Sequence, residues 1–240
     1  MPPQVAVLIP CLNEERSIAT VVADFRRVLP DALIYVYDNN STDQSRILAH
    51  QAGAVIGVEP SQGKGHTVRR MFREIEADVY ILVDGDDTYD ASTAPGMLDL
   101  LLRGGLDMVI ARRCSTRRDA WPRGHRLGNA LFSRTISRLF GSRIHDVLSG
   151  YRVFSRSFVK SFEGTTQGFE IETEITIDAV TRGLAIREVN TTYRARRAGS
   201  VSKLRTWRDG LRIARSIVRL FLNRQKIRRE PREPLHPPRL

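Results

Sequence analysis

Four short runs of branched apolar residues constrain this chain more than any other feature: Val5 to Ile9, Ile34 to Tyr37, Val79 to Val83 and Met108 to Ile110. Their apolar residues are consecutive rather than alternating, so each run needs cover on both faces, as a strand inside a parallel sheet does. Segments of helical period separate the first three and follow them, at Ser17 to Val28, Thr42 to Gln51 and Thr67 to Ile75. Strand and helix in alternation predict an α/β fold with a mostly parallel central sheet flanked by helices. Ser41 and Gln44 have the spacing of a capping box for the second helix.

After Ala111 the pattern changes to an arginine-rich loop, then predicted helices over Gly124 to Phe140 and Phe169 to Arg182, with a loop from Asp146 to Tyr151 between them. In 240 residues, 41% of them apolar, there is enough material for a core without staples. Cys11 and Cys114 form neither a disulfide framework nor a CxxC site, which points to a reducing, cytosolic compartment. Met1 leads straight into an apolar run without the basic region of a secretory signal. Arginines interrupt every apolar stretch near the carboxyl end before it reaches the roughly 20 residues of a spanning helix.

The net charge of +11 is concentrated in arginines between 112 and 138 and between 194 and 232, which implies a local anionic partner. Anionic lipid and a phosphorylated substrate both fit. Nucleic acid does not: aromatic residues make up only 7%, and there is no RNP, KH or zinc motif.

Three unusual polar sequences follow the predicted strands: PCLNEE (Pro10 to Glu15), DNNSTD (Asp38 to Asp43) and DGDDTYD (Asp84 to Asp90). In an open parallel sheet the carboxyl ends of the strands line one crevice, so these loops are expected to meet at a pocket. Asp84 and Asp86 bracket a glycine directly after a hydrophobic run, where mutual repulsion calls for a cation. Mg²⁺ or Mn²⁺ suits two carboxylates and takes its other ligands from water and substrate phosphates. A solvated acidic turn capping the next helix is the alternative. DNNSTD also reads as an Asx turn, although Asp38 at a strand tip is placed to accept from a ribose or base edge. Glu14 suits either a ligand or the dipole of the following helix. In QGKGHT (Gln62 to Thr67), Gly63 and Gly65 let backbone approach a nucleotide while Lys64 faces its phosphates, or they form an ordinary turn. The first glycine of a phosphate-binding P-loop is missing, which excludes that NTPase class.

The order PCLNEE, DNNSTD, QGKG, DGDD, LSGYRVF and SKL, over Val5 to Leu204, resembles glycosyltransferase family 2, in its dolichol-phosphate mannosyltransferase-like branch. The resemblance implies the GT-A fold and inverting transfer from a nucleotide-sugar donor with Mg²⁺ or Mn²⁺. It implies that Pro10, Leu12, Glu14 and Asp38 hold the nucleoside, and that Asp84, Gly85 and Asp86 form the DxD element meeting metal and donor, with Asp87 as an extra. Arg126, with Arg112 or Arg113, resembles the pair that grips a lipid-phosphate acceptor. The loop Ser149 to Arg152, Glu170, Ser202 and Lys203 also resemble acceptor-side motifs. Two positions depart from the family pattern: Asn39, where relatives often carry aspartate, and Thr88, where some carry a metal-contacting glutamine.

A polyprenyl phosphate acceptor needs no general base because its oxygen is already anionic. A saccharide hydroxyl does, and Asp146 and Glu170 are the candidates, each equally suited to pair with an arginine. From Arg205 to Arg229 apolar positions recur at helical steps, with Trp207, Leu211, Ala214, Ile217, Val218 and Phe221 beside a stripe of arginines. Such a helix lies on an anionic membrane surface, or packs on the domain or on a second copy or membrane-protein partner. The expected organisation is a catalytic domain over 1–204, the amphipathic helix over 205–228 and a flexible tail over 229–240, peripheral on the cytosolic face of a membrane.

Overall fold

The computed structural model describes residues 2–114, 125–141, 143–197 and 206–229, with side chains over the same ranges except 125–127, 206–208 and 223–229. The chain runs β1 (Val5–Cys11), α1 (Ile18–Val28), β2 (Leu33–Asp38), α2 (Ser45–Gln51), β3 (Val55–Val58), α3 (Lys64–Glu74), β4 (Val79–Leu82), a 3-10 turn (Ala91–Thr93), α4 (Ala94–Gly104), β5 (Met108–Cys114), α5 (His125–Phe140), β6 (Arg152–Ser155), α6 (Arg156–Ser161), α7 (Ile171–Thr181), β7 (Ile186–Thr192) and α8 (Thr206–Arg229).

The strands form one sheet in the order β3-β2-β1-β4-β6-β5-β7. Among the described strands all pairings are parallel except those of β6, which runs antiparallel between β4 and β5. The four strands expected from the sequence are present because β1, β2, β4 and the first half of β5 are covered on both sides. On one face Leu8, Leu82 and Ile110 pack with α3, α5 and α7, and on the other Ile9, Val36 and Ile81 pack with α1 and α4. Each such fully buried aliphatic side chain contributes about 1.5–3 kcal/mol.

Starting from β1, the chain steps outward to β2 and β3, then returns to add β4 on the opposite side. That reversal is a topological switch point, and it opens a crevice between the carboxyl ends of β1 and β4, where Pro10 and Asp84 stand.

The expected capping box is corrected. Helix α2 begins at Ser45, and Gln44 at its cap position makes no side-chain cap bond. Ser41 Oγ accepts the Asn13 N–H at 2.9 Å instead, while Asp43 accepts the N–H of Ser45 at 2.9 Å and that of Glu15 at 3.1 Å. Cross-bracing two functional loops uses these short polar side chains better than a local cap would.

The carboxyl-terminal helix divides the apolar residues that its sequence groups together. Ile213 and Ile217 are buried, Phe221 meets Phe140 edge-on at 5.9 Å, and α8 packs on α5 and α7. Leu211, Val218 and Leu222 remain exposed on the outer side, beside Arg215 and Arg219. No helix among the described residues is long and apolar enough to cross a membrane.

Candidate active site

Three non-glycine residues among those described hold a positive φ: Asn13 (51°), Asn40 (66°) and Asp87 (59°). One lies in each polar loop at the strand ends, and each costs on the order of 1 kcal/mol, strain that concentrates where backbone is bent to serve a ligand. The loops converge on a cavity of about 450 Å³ lined by Pro10, Cys11, Leu12, Glu14, Asn39, Lys64, Asp84, Gly85 and Asp86 from the first half, and by Phe169, Arg196, Asp209 and Arg212 from the second.

The two DxD aspartates are held differently. Asp86 is buried, and its Oδ1 accepts the Thr88 hydroxyl at 2.6 Å and the Thr88 N–H at 3.2 Å, which turns Oδ2 toward Arg196 at 2.5 Å. Burial and the neighbouring Asp84 push its carboxyl above the usual range, against the pull of Arg196. Asp84, against the cost of burial, is held below that range chiefly by the Lys64 ammonium at 2.5 Å. Lys64 is also paired with Glu172, so it bridges the donor-side loop to the first turn of α7. Gly150 makes room for this arrangement, because a Cβ there would lie 2.4 Å from Asp84 Oδ2.

Lys64 is placed by the turn before α3. Gly63 has φ 140°, and the N–H of Gly65 donates to the Gln167 carbonyl at 2.9 Å. The QGKG loop therefore leans on the segment ahead of α7 rather than standing open. Asn39, the first departure from the family pattern, ties this loop in place: its amide donates to the carbonyls of Glu59 (2.9 Å) and Ser61 (2.8 Å) and accepts the Gly63 N–H at 2.7 Å. Aspartate has no N–H to give those carbonyls. Asn39→Asp is expected to cost about 1–3 kcal/mol, read as a lowered midpoint in urea unfolding with an unchanged slope. Thr88, the second departure, acts through Asp86.

Glu14 is buried and pairs with Arg196 at 3.1 Å. Asp38 is buried opposite Cys11 at the end of β2, its Oδ1 without a hydrogen-bond partner among the described residues. It stands beside the cavity wall rather than in it. Of the acceptor-side arginines, Arg113 grips Asp146 through two side-chain bonds of 2.9 and 2.7 Å, and Arg112 opens onto a separate cleft with Arg143 and Glu188. Arg152 is fully buried and donates to the carbonyls of Val147 and Ser149, so within LSGYR it fastens the loop from inside. The side chain of Arg126, and Ser202 and Lys203 entirely, lie outside the described residues.

Arg196 and Glu172 were not legible as site residues. The signal was the run RARR, Arg194 to Arg197, which lies beside DGDDTYD and answers three of its four aspartates: Arg194 with Asp90 (3.5 Å), Arg196 with Asp86 (2.5 Å) and Arg197 with Asp87 (2.7 Å). Part of the basic charge assigned to an outside partner is answered within the chain.

Among the described residues no group of three or more metal-ligating side chains occurs. Asp84 and Asp86 nevertheless fit a hard divalent ion of the kind that draws its remaining ligands from phosphates. The cationic heads of Lys64 and Arg196 on these carboxylates mark where positive charge is required.

A mostly parallel sheet with this crevice is the GT-A fold. The chain belongs to glycosyl transferase family 2, whose family profile matches residues 6–162. It is 33% identical over 217 residues to a dolichyl-phosphate hexose transferase of Haloferax volcanii, covering 90% of this chain and 93% of that one. It is 38% identical over 210 residues to glycosyltransferase AglJ of the same organism, covering 87% and 69%. The fold superposes with a TM-score of 0.73 on glucosyl-3-phosphoglycerate synthase of Mycobacterium tuberculosis in complex with Mn²⁺ and UDP-glucose, 25% identical, covering 93% of this chain and 79% of that one.

Proposed function

We propose that this protein transfers a hexose, with inversion, from a nucleoside diphosphate sugar such as GDP-mannose or UDP-glucose to a polyprenyl phosphate at the cytosolic face of a membrane. The observation that carries this reading is the meeting of Glu14, Lys64, Asp84, Asp86 and Arg196 around one cavity at the switch point of the sheet. The similarity to a dolichyl-phosphate hexose transferase supports the acceptor class.

Pro10, Leu12, Glu14 and Asp38 are assigned to the nucleoside, Asp38 from its place beside the cavity wall. Asp84 and Asp86 would hold Mg²⁺ or Mn²⁺, which when bound neutralises charge growing on the departing diphosphate. Lys64 adds fixed positive charge beside Asp84. The acceptor oxygen is anionic near neutral pH and attacks without surrendering a proton, so positioning suffices. With Arg113 committed to Asp146 and Arg112 turned to another cleft, Arg126 and Lys203 are assigned to the acceptor phosphate.

One observation favours transfer to a saccharide hydroxyl. Glu170 is buried ahead of α7, close to the cavity-lining Gly168, and its Oε2 has no hydrogen-bond partner among the described residues, which leaves a carboxylate oxygen that can take a proton. Asp146 is excluded from that role by Arg113. Incubating the purified chain with labelled nucleotide sugars and either short polyprenyl phosphates or oligosaccharides decides between them. Labelled lipid supports the first reading; label only in oligosaccharide overturns it.

The outer face of α8 is assigned to anionic lipid, with Leu211, Val218 and Leu222 entering the headgroup layer and Arg215 and Arg219 on phosphates. Deleting the helix would also remove Ile213 and Ile217 from the core, so substitution tests the idea more cleanly. Replacing Leu211, Val218 and Leu222 by serine is expected to abolish co-sedimentation with phosphatidylglycerol vesicles while leaving the melting temperature nearly unchanged. Undiminished co-sedimentation would refute it.

A further inference from the structure

We infer that Arg196 is the resident counterion of the metal site, holding divalent metal off Asp86 until a nucleoside diphosphate enters the cavity. The inference rests on the proposed metal role of Asp84 and Asp86.

The geometry is that of a competition for one oxygen. Thr88 takes Asp86 Oδ1 with two hydrogen bonds, at 2.6 and 3.2 Å. The oxygen left to face the cavity is Oδ2, and the Arg196 guanidinium is on it at 2.5 Å while its other nitrogen reaches Glu14 at 3.1 Å. A divalent ion entering here meets a fixed positive charge a few ångströms away, in a pocket whose walls are largely shielded from water, and the two repel strongly. Metal and arginine therefore exclude one another at Asp86.

The arrangement is also built to release. The backbone that carries Arg196 is fastened on either side: the Arg194 N–H donates to the Thr88 carbonyl at 2.8 Å, and Arg197 pairs with Asp87 at 2.7 Å and donates to Thr20 Oγ1 at 3.0 Å. The arginine side chain between these anchors is a quarter exposed and lines the cavity. A pyrophosphate in that cavity offers a planar guanidinium one bidentate partner in place of its single contacts to two separate carboxylates. Arg196 can then transfer from carboxylates to phosphate by side-chain rotation alone, and Asp86 is uncovered as the donor arrives. Lys64 cannot play this part as readily, because it is less exposed and stays pinned between Asp84 and Glu172.

The device couples metal affinity to nucleotide occupancy. Binding couplings of this kind span about 5- to 150-fold. It also spares the acidic pair from taking up metal that has no donor to serve.

The test is Mn²⁺ binding to the full chain, followed by the loss of the free-ion electron paramagnetic resonance signal, with no nucleotide, with UDP and with GDP. Wild type is expected to bind Mn²⁺ weakly alone and more tightly with the matching nucleotide. Arg196→Gln, and independently Arg196→Met, should bind Mn²⁺ alone about tenfold or more tightly than wild type, within that coupling range. Arg196→Lys, which keeps the charge, should remain like wild type. If wild type binds Mn²⁺ with nucleotide but neither neutral variant gains affinity without it, the counterion role is overturned and the metal role stands. If no Mn²⁺ binds with either nucleotide, the metal role fails and this inference fails with it.

Discussion

Asp86→Ala is expected to lower sugar transfer by about 10²–10³-fold or more, the size of effect that follows loss of one preorganised electrostatic contact to a developing charge. The protein should still fold. Arg196 keeps Glu14 as a partner and is partly exposed, so the substitution strands no buried charge. Burial and the neighbouring Asp84 push the Asp86 carboxyl above its usual range, so its negative charge is disfavoured where it stands. Removing it relieves that cost while removing the function. Turnover at saturating Mg²⁺, measured beside thermal unfolding of the same preparation, checks both halves of the statement. Normal turnover in the variant would refute a metal role for Asp86.

Gly150→Ala is the second large effect and tests Asp84 without touching it. The added methyl would sit 2.4 Å from Asp84 Oδ2 and 2.8 Å from its Cγ. The carboxylate has little room to retreat, because Lys64 holds its Oδ1 and is itself tied to Glu172. Gly150 is equally fixed, its N–H donating to the Tyr89 hydroxyl at 2.9 Å. Something must move by several tenths of an ångström or more, and a misplacement near 1 Å at such a centre costs on the order of 10²-fold in rate. Overpacking should also take about 1–3 kcal/mol from stability. A variant with unaltered kcat/KM would mean that Asp84 does not need its present position.

The legibility of this fold followed burial. β1, β2, β4 and the start of β5 are covered on both faces, so their sequences are continuous apolar runs that admit few other readings. β3, β6 and β7 were not anticipated. β3 is a four-residue edge strand containing Gly57, and β6 begins with the buried Arg152, whose charge hides its place in the sheet. β7 is an edge strand whose IREVNTT alternates too weakly to separate it from a loop. The helix α4, with Pro95 near its start and Gly104 at its end, was likewise not marked.

The candidate site divided along similar lines. Asp84, Asp86, Glu14 and Lys64 stood out because carboxylates and a glycine-flanked lysine directly after strands are unusual, and order along the chain carried the family resemblance. Partners contributed from far away did not. Arg196 lies 182 residues from Glu14, and Arg113 is indistinguishable in sequence from Arg112 until one is seen on Asp146 and the other in a different cleft.

The sequence by itself determined which segments must be buried, where the strands end in polar loops and which chemistry those loops favour, since hydrophobic period and local charge are properties of neighbours along the chain. Only the tertiary structure decided which cation answers which carboxylate, which side of α8 faces the core and why residue 150 has no side chain. Those are contacts between residues distant in sequence, and their energies depend on a separation in space that no local pattern encodes.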